Sequence, residues 1–472
     1  MNSTPVIDST PQPGFWASVR EAIAGSQQDY TNVRIERAIV MLAVPMVLEM
    51  IMESLFGVVD MFWVAHLGAD AIATVALTET VLTLLFTIAL GLSMAVTAMV
   101  SRRIGEKDPA AASVVAVQAI AVGVAVSCVT GVIGFVFAAD LLRTMGASPA
   151  VVRLGTNYTR TMLGGSITVF LLFLINAVFR GAGDAATAMR ALWIANAINI
   201  CLNPFLIFGL GPFPLLGVTG SAVGTTIGRG SGVAYQIYRL VSGRSRITVQ
   251  WSQARLDFGV MWRLVRMSFG ATFQYFVQMA SWIGMIRIVA SFGSAAVAAN
   301  TLAIKIIVFA VLPSWGMSNA AATLVGQNLG ARKPDRAEQA VWRSGFYNLC
   351  FLGGLGLIFI VLAEPIIRIF TSDPAVLPMA VTCLRYLSYG NISYAYGMVV
   401  VTSFNGAGDT FTPTILNLIC FWLCQIPLGW VLAFHMGLGA TGPFVAVALS
   451  ETLLAVLAIV WFRRGTWKKQ VV

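Results

Sequence analysis

Charged side chains are scarce in this chain: they make up 11% of the 472 residues, whereas hydrophobic residues make up 58%. A soluble globular domain carries about 25% charged residues. A soluble domain with this composition would lack the polar groups needed to cover its surface. The scarcity of charge therefore excludes an ordinary soluble protein and indicates a chain that lies in a lipid bilayer.

Histidine and cysteine are also rare. The two histidines, His66 and His435, belong to no HExxH motif and to no His/Asp cluster. The six cysteines lie in apolar stretches without a neighbouring histidine or acid, which predicts buried free thiols. We therefore predict no catalytic centre, no metal centre and no cofactor, and we do not expect an enzyme.

Long apolar runs are present instead, and we interpret them as twelve membrane-spanning helices. Barrel strands are excluded because the runs are too long and do not alternate. Residues 1–36 contain no apolar signal-peptide core, which predicts a polar tail with a short surface helix at about 15–24. The predicted spans, numbered 1 to 12, cover residues 37–65, 70–100, 110–138, 149–181, 184–210, 216–242, 258–291, 294–328, 335–363, 375–406, 411–435 and 440–463.

The chain repeats itself at an offset of 225 residues, the difference between 404 and 179. The segment FRGAGD at 179–184 returns as FNGAGD at 404–409, and Gly105 returns as Gly330. The repeat predicts two six-helix lobes, 37–242 and 258–463, related by a pseudo-two-fold axis. A cleft between two similar lobes is the architecture of many secondary transporters. We therefore predict an all-α polytopic membrane protein with a cleft between its two lobes.

The net charge of +10 is placed for a membrane protein rather than for nucleic-acid binding. Basic residues concentrate in the 2–3 and 8–9 turns, the linker 243–257 and the C-terminal tail 464–472. The connections 66–70, 209–217, 291–295 and 434–441 contain no Lys or Arg, although the 3–4 and 9–10 connections carry a few. The positive-inside rule therefore predicts cytoplasmic termini and a cytoplasmic linker. Each half has an even number of spans, so the repeat is parallel.

Span 1 contains three acids, Glu49, Glu53 and Asp60. Glu53 lies about 40° and Asp60 about 20° around the helix from Glu49, so the acids form one stripe about 16 Å long. A charge inside a span is costly and usually faces a cavity or a partner. Like charges so close together make it costly for all three acids to stay ionised, which suits proton binding and release near neutral pH. Alternatively, the acids serve only as ion-pair partners of cationic side chains. The repeat places Gln274 and Gln278 at the positions of Glu49 and Glu53.

Other charges also lie within spans. Glu79 in span 2 and Lys305 in span 8 could meet at the cleft, as a gate or as a structural ion pair. Arg229 and Arg287 are expected to extend towards the membrane surface. No role is assigned to these two arginines or to Glu451.

Uncharged polar side chains form a second group in spans 4 to 6, namely Tyr158, Asn176, Asn199, Asn203 and Thr225. Their oxygen atoms could hold a cation or relay a proton, or the side chains could only connect packed helices by hydrogen bonds. In spans 7 to 10, some side chains could face the cleft and hold flat lipophilic cations by stacking and cation–π contacts. These candidates are Gln274, Gln278, Met279, Trp282 and Tyr394.

Several motifs resemble the multidrug and toxin extrusion (MATE) family. The stretch VVDMFWVAHLG at 58–68 resembles the end of the family's first helix. The RGAGD element at 180–184, its echo at 405–409 and NPFLIF at 203–208 resemble its fourth-to-fifth and tenth-to-eleventh segments. The similarity covers residues 37–463 in order. It implies a cation-coupled exporter whose two lobes form a V and alternate between inward and outward openings.

The resemblance also implies roles for individual residues. In the bacterial branch, binding of the coupling cation is attributed to the first lobe, which implies roles for Asp60, Tyr158, Asn176, Asn199 and Thr225. The family's aspartate in span 5 is replaced here by Asn203. The acids that other branches use in spans 7 and 10 are also absent, since the first falls on Gln278 and the second near Tyr394.

These departures favour protons over sodium as the coupling ion. The loss of one carboxylate weakens a sodium site at Asp60, Asn199 and Asn203, whereas a proton site needs only one carboxylate. Glu49, Glu53 and Glu79 are additional acids that could compensate. We therefore expect a monomeric antiporter of the inner membrane that exports small organic cations in exchange for protons, with sodium as the alternative.

A lipid-linked glycan flippase of the same superfamily is the competing function. A flippase should carry a cluster of arginines in its cavity to bind pyrophosphate. Span 1 of this chain instead presents a row of acids.

Overall fold

The protein is described by a computed structural model that covers residues 14–26, 28–243, 245–249 and 255–470. Parts of the predicted N-terminal tail, together with Arg244 and residues 250–254 of the linker, lie outside the described residues. Every regular element in the described residues is a helix.

Twelve helical spans occupy the positions predicted from the sequence, and we label them α1 to α12. Nine of them are long and apolar enough to cross a bilayer. The other three, α6, α7 and α10, have 24, 33 and 31 residues. The spans are α1 Ile35–Ala65, α2 Ala69–Gly105, α3 Pro109–Val136, α4 Pro149–Ala182, α5 Ala185–Phe208, α6 Val218–Val241, α7 Phe258–Ala290, α8 Ser294–Gly330, α9 Pro334–Val361, α10 Leu377–Ala407, α11 Phe411–His435 and α12 Thr441–Arg463. The predicted all-α membrane fold is confirmed.

Several interruptions were not predicted. α4 divides at Gly165. α9 contains a π-helical segment, Leu349–Gly353, and α11 contains two, Leu418–Gln425 and Val431–His435. Short helices follow α3 and α9, at Ala138–Thr144 and Ala363–Phe370. The predicted surface helix is present at Phe15–Ala24.

The expectation of buried thiols is only partly correct. Cys383 and Cys420 are buried, whereas Cys128, Cys201 and Cys350 are exposed. In a membrane protein the outer surface of a helix faces lipid, so an apolar stretch does not by itself predict burial inside the protein.

The duplication is visible in the backbone. Gly183 and its repeat mate Gly408 both end a helix in the left-handed region, with φ of 85° and 92°. Lys107 and its repeat mate Arg332 are also left-handed, with φ of 61° and 57°. A positive φ is uncommon for residues other than glycine. The same unusual conformation at paired positions therefore confirms the 225-residue offset.

The two lobes pack tightly at the end that carries the basic turns. Repeat mates Gly105 and Gly330 meet there, so the pseudo-two-fold axis passes between them. A Cβ atom at Gly316 of α8 would lie 2.7 Å from the backbone of Met46 in α1, and one at Gly326 would overlap Ser101 of α2. Small residues permit such close approach of helix backbones. We call this region, defined by these close contacts, the closed end.

The N-terminal segment also connects both lobes at the closed end. The buried Tyr30 hydroxyl donates to the carbonyl oxygen of Gly183 at 3.2 Å. From the second lobe, Lys333 donates to the carbonyl oxygen of Thr31 at 3.0 Å, and Arg336 donates to that of Tyr30 at 3.2 Å. Burial raises the pKa of Tyr30 to about 12, so its phenol stays a neutral hydrogen-bond donor.

Close packing at the closed end predicts the effect of adding a side chain there. Gly326→Val should destabilise the protein by about 1–3 kcal/mol because the new methyl groups force α8 away from α2. Gly354→Val is the matched control, since a Cβ at Gly354 has no neighbour within 4 Å. Thermal unfolding of the purified variants in detergent checks this. Equal midpoints for the two variants would contradict tight packing at Gly326.

From the positive-inside rule we expect the closed end to face the cytoplasm. In a cysteine-free background, Asp335→Cys should react with a membrane-impermeant maleimide only after the cells are opened, and Pro212→Cys should react in intact cells. Both positions are exposed. Ser245 in the linker is buried, so a cysteine introduced there would react poorly with the maleimide. Reaction of Asp335→Cys in intact cells would overturn this orientation.

Candidate functional site

Asp60 lies in the first lobe, where it joins α1 to α5 and α6. Its Oδ1 accepts hydrogen bonds from the Asn203 amide and the Ser221 hydroxyl, both at 2.7 Å. Asn203 also donates to Asn199 Oδ1 at 3.1 Å, and Asn199 donates to Thr225 Oγ1 at 2.9 Å. These five side chains are buried, and we call them the Asp60 network. The structure thus brings four of the predicted coupling residues together.

The orientation of these amides bears on sodium binding. Asn203 turns its amide nitrogen towards Asp60, while its own Oδ1 lies against Gly224 without a hydrogen-bond partner. A sodium ion requires several oxygen atoms that point to one centre. In the Asp60 network the Asn203 amide instead donates to the carboxylate, and its oxygen does not face Asp60.

Glu49 forms a separate buried centre with α4. Its Oε1 accepts from Arg180 at 3.1 Å and from Asn176 at 3.0 Å. Gln236 of α6 donates to Asn176 Oδ1 at 2.6 Å. The sequence predicts that Asn176 belongs with Asp60. In the structure its only side-chain partners among the described residues are Glu49 and Gln236, because it lies near the closed-end half of α4.

Glu53 lies between these two centres, and Arg229 is its cationic partner. The Arg229 guanidinium is 4.0 Å from Glu53 Oε1 and lies over the rings of Phe56 and Phe86. Arg229 is 8% exposed, so the expectation that it extends towards the membrane surface is wrong. Its charge is held inside by a carboxylate and two aromatic faces. Glu53 itself remains half-buried and faces a cavity.

Three other predicted residues have no direct hydrogen bond to the Asp60 network among the described residues. They are Tyr158, Glu79 and Lys305. Tyr158 is buried and interacts electrostatically with Asp60 and Glu79. Glu79 and Lys305 are both exposed, and no direct ion pair joins them among the described residues. In this conformation they therefore do not form a closed gate.

A cavity of about 270 Å³ lies between the lobes. Its first-lobe wall includes Glu49, Glu53 and Arg180, and its second-lobe wall is mainly amide and aromatic. That wall includes Gln274, Tyr275, Gln278, Trp315, Tyr394 and Met398. Two acids and one base give the lining a net negative formal charge.

Two predicted cleft residues do not line this cavity. Trp282 packs into the hydrophobic core of the second lobe, and Met279 is 38% exposed outside the lining. Gln274 and Gln278 are one helical turn apart and both line the cavity. Met279 lies about 100° around α7 from Gln278, whereas Trp282 shares the face of the two glutamines but lies one turn further along the helix.

The two lobes build the same contact from different residue types. Gln274 of α7 accepts from Asn405 of α10 at 3.2 Å. These residues are the repeat mates of Glu49 and Arg180. An ion pair in the first lobe is thus replaced by a neutral amide pair in the second.

Sequence reasoning missed Ser221, Arg180, Gln236 and the pairing of Arg229. Ser221 lies one helical turn before Thr225, so a search for polar side chains along that face of α6 would have found it. Arg180 and Arg229 are charges inside spans. The rule that drew attention to the acids applies equally to them.

The fold and the site define a duplicated, multi-pass membrane transporter. The MatE family model matches residues 45–205 and again 271–431, which together exceed half of the chain. The chain belongs to the MatE family.

Two relatives with similar sequences are described as probable multidrug resistance proteins. The chain is 25% identical to the probable multidrug resistance protein NorM of Thermotoga maritima over 450 residues, 93% of this chain and 94% of the relative. It is 26% identical to the probable multidrug resistance protein YoeA of Bacillus subtilis over 447 residues, 92% and 94% of the two chains. An outward-facing multidrug resistance MATE family transporter of the MOP superfamily superposes with a TM-score of 0.87 at 23% identity, over 94% of this chain and 99% of that structure.

The neutral amide pair of the second lobe predicts which double substitution restores stability when the first-lobe ion pair is broken. Arg180→Asn alone should cost about 3–5 kcal/mol because it leaves the Glu49 carboxylate buried without a cation. Glu49→Gln combined with Arg180→Asn should recover much of that loss, because it recreates the amide pair of Gln274 and Asn405. Unfolding midpoints of the two single variants and the double variant check this. A double variant as unstable as the sum of the single variants would contradict the analogy.

Proposed function

We propose that this chain is a secondary active antiporter that exports small organic cations in exchange for protons. The observation that carries the proposal is the lining of the central cavity, which holds the half-buried carboxylate of Glu53 together with aromatic side chains. Aromatic faces and a carboxylate suit a flat lipophilic cation. The volume of about 270 Å³ lies near the lower end of small-molecule sites. The chain would work as a monomer in the inner membrane, with its termini and its closed end in the cytoplasm.

Protons are the coupling ion that the Asp60 network supports. A buried carboxylate with two hydrogen-bond donors and no cation in direct contact can bind one proton without rearranging its neighbours. To bind sodium, the Asn203 side chain would have to rotate so that its amide oxygen, and not its nitrogen, faces the site. The replacement of the family's aspartate by Asn203 also removes the charge that would favour a metal ion.

The cavity offers little support for a lipid-linked glycan flippase. Pyrophosphate recognition calls for several arginines. The cavity lining contains Arg180, and that arginine is already paired with Glu49.

Asp60→Asn should reduce proton-driven efflux to the level of empty vesicles because the amide cannot exchange a proton. The measurement is ethidium transport in proteoliposomes driven by a pH gradient without sodium, compared with a sodium gradient at constant pH. Asp140→Asn is the matched control, since Asp140 is exposed and paired with Arg143 outside the twelve spans. Transport by the wild type under the sodium gradient alone would defeat proton coupling, and full activity of Asp60→Asn would defeat the role of Asp60.

Glu53→Gln should shift the pH dependence of transport rather than only its maximum rate. Glu53 faces the cavity and lies between two other acids on α1, so its charge affects how readily they bind protons. Rates measured over a pH series, with Glu364→Gln as the control at an exposed glutamate outside the spans, test this. Superposable profiles for Glu53→Gln and the wild type would remove Glu53 from the proton pathway.

A further inference from the structure

The second lobe contains one membrane-embedded acid that the proposed function has not used. Glu451 lies in α12 on the same face as the buried residues Val447, Leu454 and Ala458, which follow helical spacing. Leu454 lines the central cavity. Glu451 therefore points into the lobe and not towards lipid.

The Glu451 carboxyl group has no cationic partner among the described residues. Its Oε2 is buried and makes no hydrogen bond, and it fills space beside Gly390 of α10 that a side chain there would occupy. α10 presents Tyr394, α7 contributes Tyr275 beyond it, and both are neutral phenols. α11 contains no Lys, Arg, Asp or Glu. An unpaired carboxylate in such surroundings is costly, so the group is held as the neutral acid.

Comparison of the lobes identifies the polar pair beside this acid. Ser450 is the repeat mate of Thr225, and its hydroxyl donates to Gln425 of α11 at 2.8 Å. In the first lobe Thr225 accepts from Asn199 of α5 at 2.9 Å. Gln425 is one position beyond the repeat mate of Asn199, and it ends the π-helical segment Leu418–Gln425, a wider turn that shifts the register.

The second lobe thus contains a polar pair that corresponds to Thr225 and Asn199 of the Asp60 network. The acid beside that pair, however, comes from a different helix than in the first lobe. The repeat mate of Asp60 is Met285 in α7, which is buried and apolar. The acid comes instead from α12, next to Ser450. Glu451 lies beside Gly390 of α10, and Tyr394, one helical turn further along α10, lines the cavity.

We propose that Glu451 is a second proton-binding site, located in the second lobe, which releases its proton when an organic cation binds in the central cavity. The proton leaves the carboxyl group for water in the cavity, and the carboxylate that remains balances the charge of the bound cation. The inference extends the proposed antiport and rests on it for the identity of the cargo. One proton site in each lobe would let the two lobes titrate independently.

Infrared difference spectroscopy of the purified protein tests this site without measuring transport. The readout is the C=O stretching band of protonated carboxylic acids, recorded near neutral pH before and after addition of tetraphenylphosphonium as the probe cation. Wild type and the exposed-site control Glu364→Gln should show a component of this band that Glu451→Gln lacks. Glu451→Asp should restore it, and the probe cation should diminish it.

Two results would overturn the proposal. One is a protonated-carboxyl band in Glu451→Gln identical to that of the wild type. The other is a Glu451-dependent band that the probe cation leaves unchanged. Failure of proton-driven efflux alone would leave the band intact, so failure of the proposed antiport can be told apart from failure of the Glu451 site.

Discussion

The cost of placing a carboxylate in a membrane interior governs this structure, and the three acids of α1 meet it in different ways. Glu49 is neutralised by a direct ion pair with Arg180. Glu53 lies 4.0 Å from Arg229 and keeps one side towards the cavity. Asp60 has neutral hydrogen-bond donors in place of a cation. A paired acid resists protonation, whereas an acid with neutral partners can bind and release a proton. The type of partner therefore separates structural acids from candidates for coupling.

The duplication explains how polar side chains of both lobes come to line one cavity. Gly105 and Gly330 meet on the pseudo-two-fold axis, and other glycines bring α8 against α1 and α2 at the same end. Tight packing at one end leaves the lobes free to diverge at the other. Each lobe then presents its own polar centre to the shared space. Because the two halves have diverged in sequence, corresponding positions carry an ion pair in one lobe and an amide pair in the other.

Much of this arrangement could be predicted from the sequence. The apolar runs and the offset between FRGAGD and FNGAGD predicted twelve spans in two lobes, and the acid spacing in α1 predicted one polar face. The partners of the acids could not be predicted, since contacts such as Asn203 with Asp60 join residues 143 positions apart. Asn176 was grouped with the wrong acid for this reason. The π-helical segments of α11 were also missed, because hydrophobic patterning does not reveal an added residue in a turn.

The proposed antiport requires that protonation of Asp60 change how far the lobes separate opposite the closed end. Ala69 and Ser294 are exposed repeat mates at the starts of α2 and α8. Spin labels on Ala69→Cys and Ser294→Cys, in a cysteine-free background, would report the distance across this opening by pulsed electron paramagnetic resonance in lipid. We expect a distance distribution that shifts between acidic and alkaline pH, and no shift when Asp60→Asn is added. A pH-dependent shift that persists in the Asp60→Asn background would contradict it.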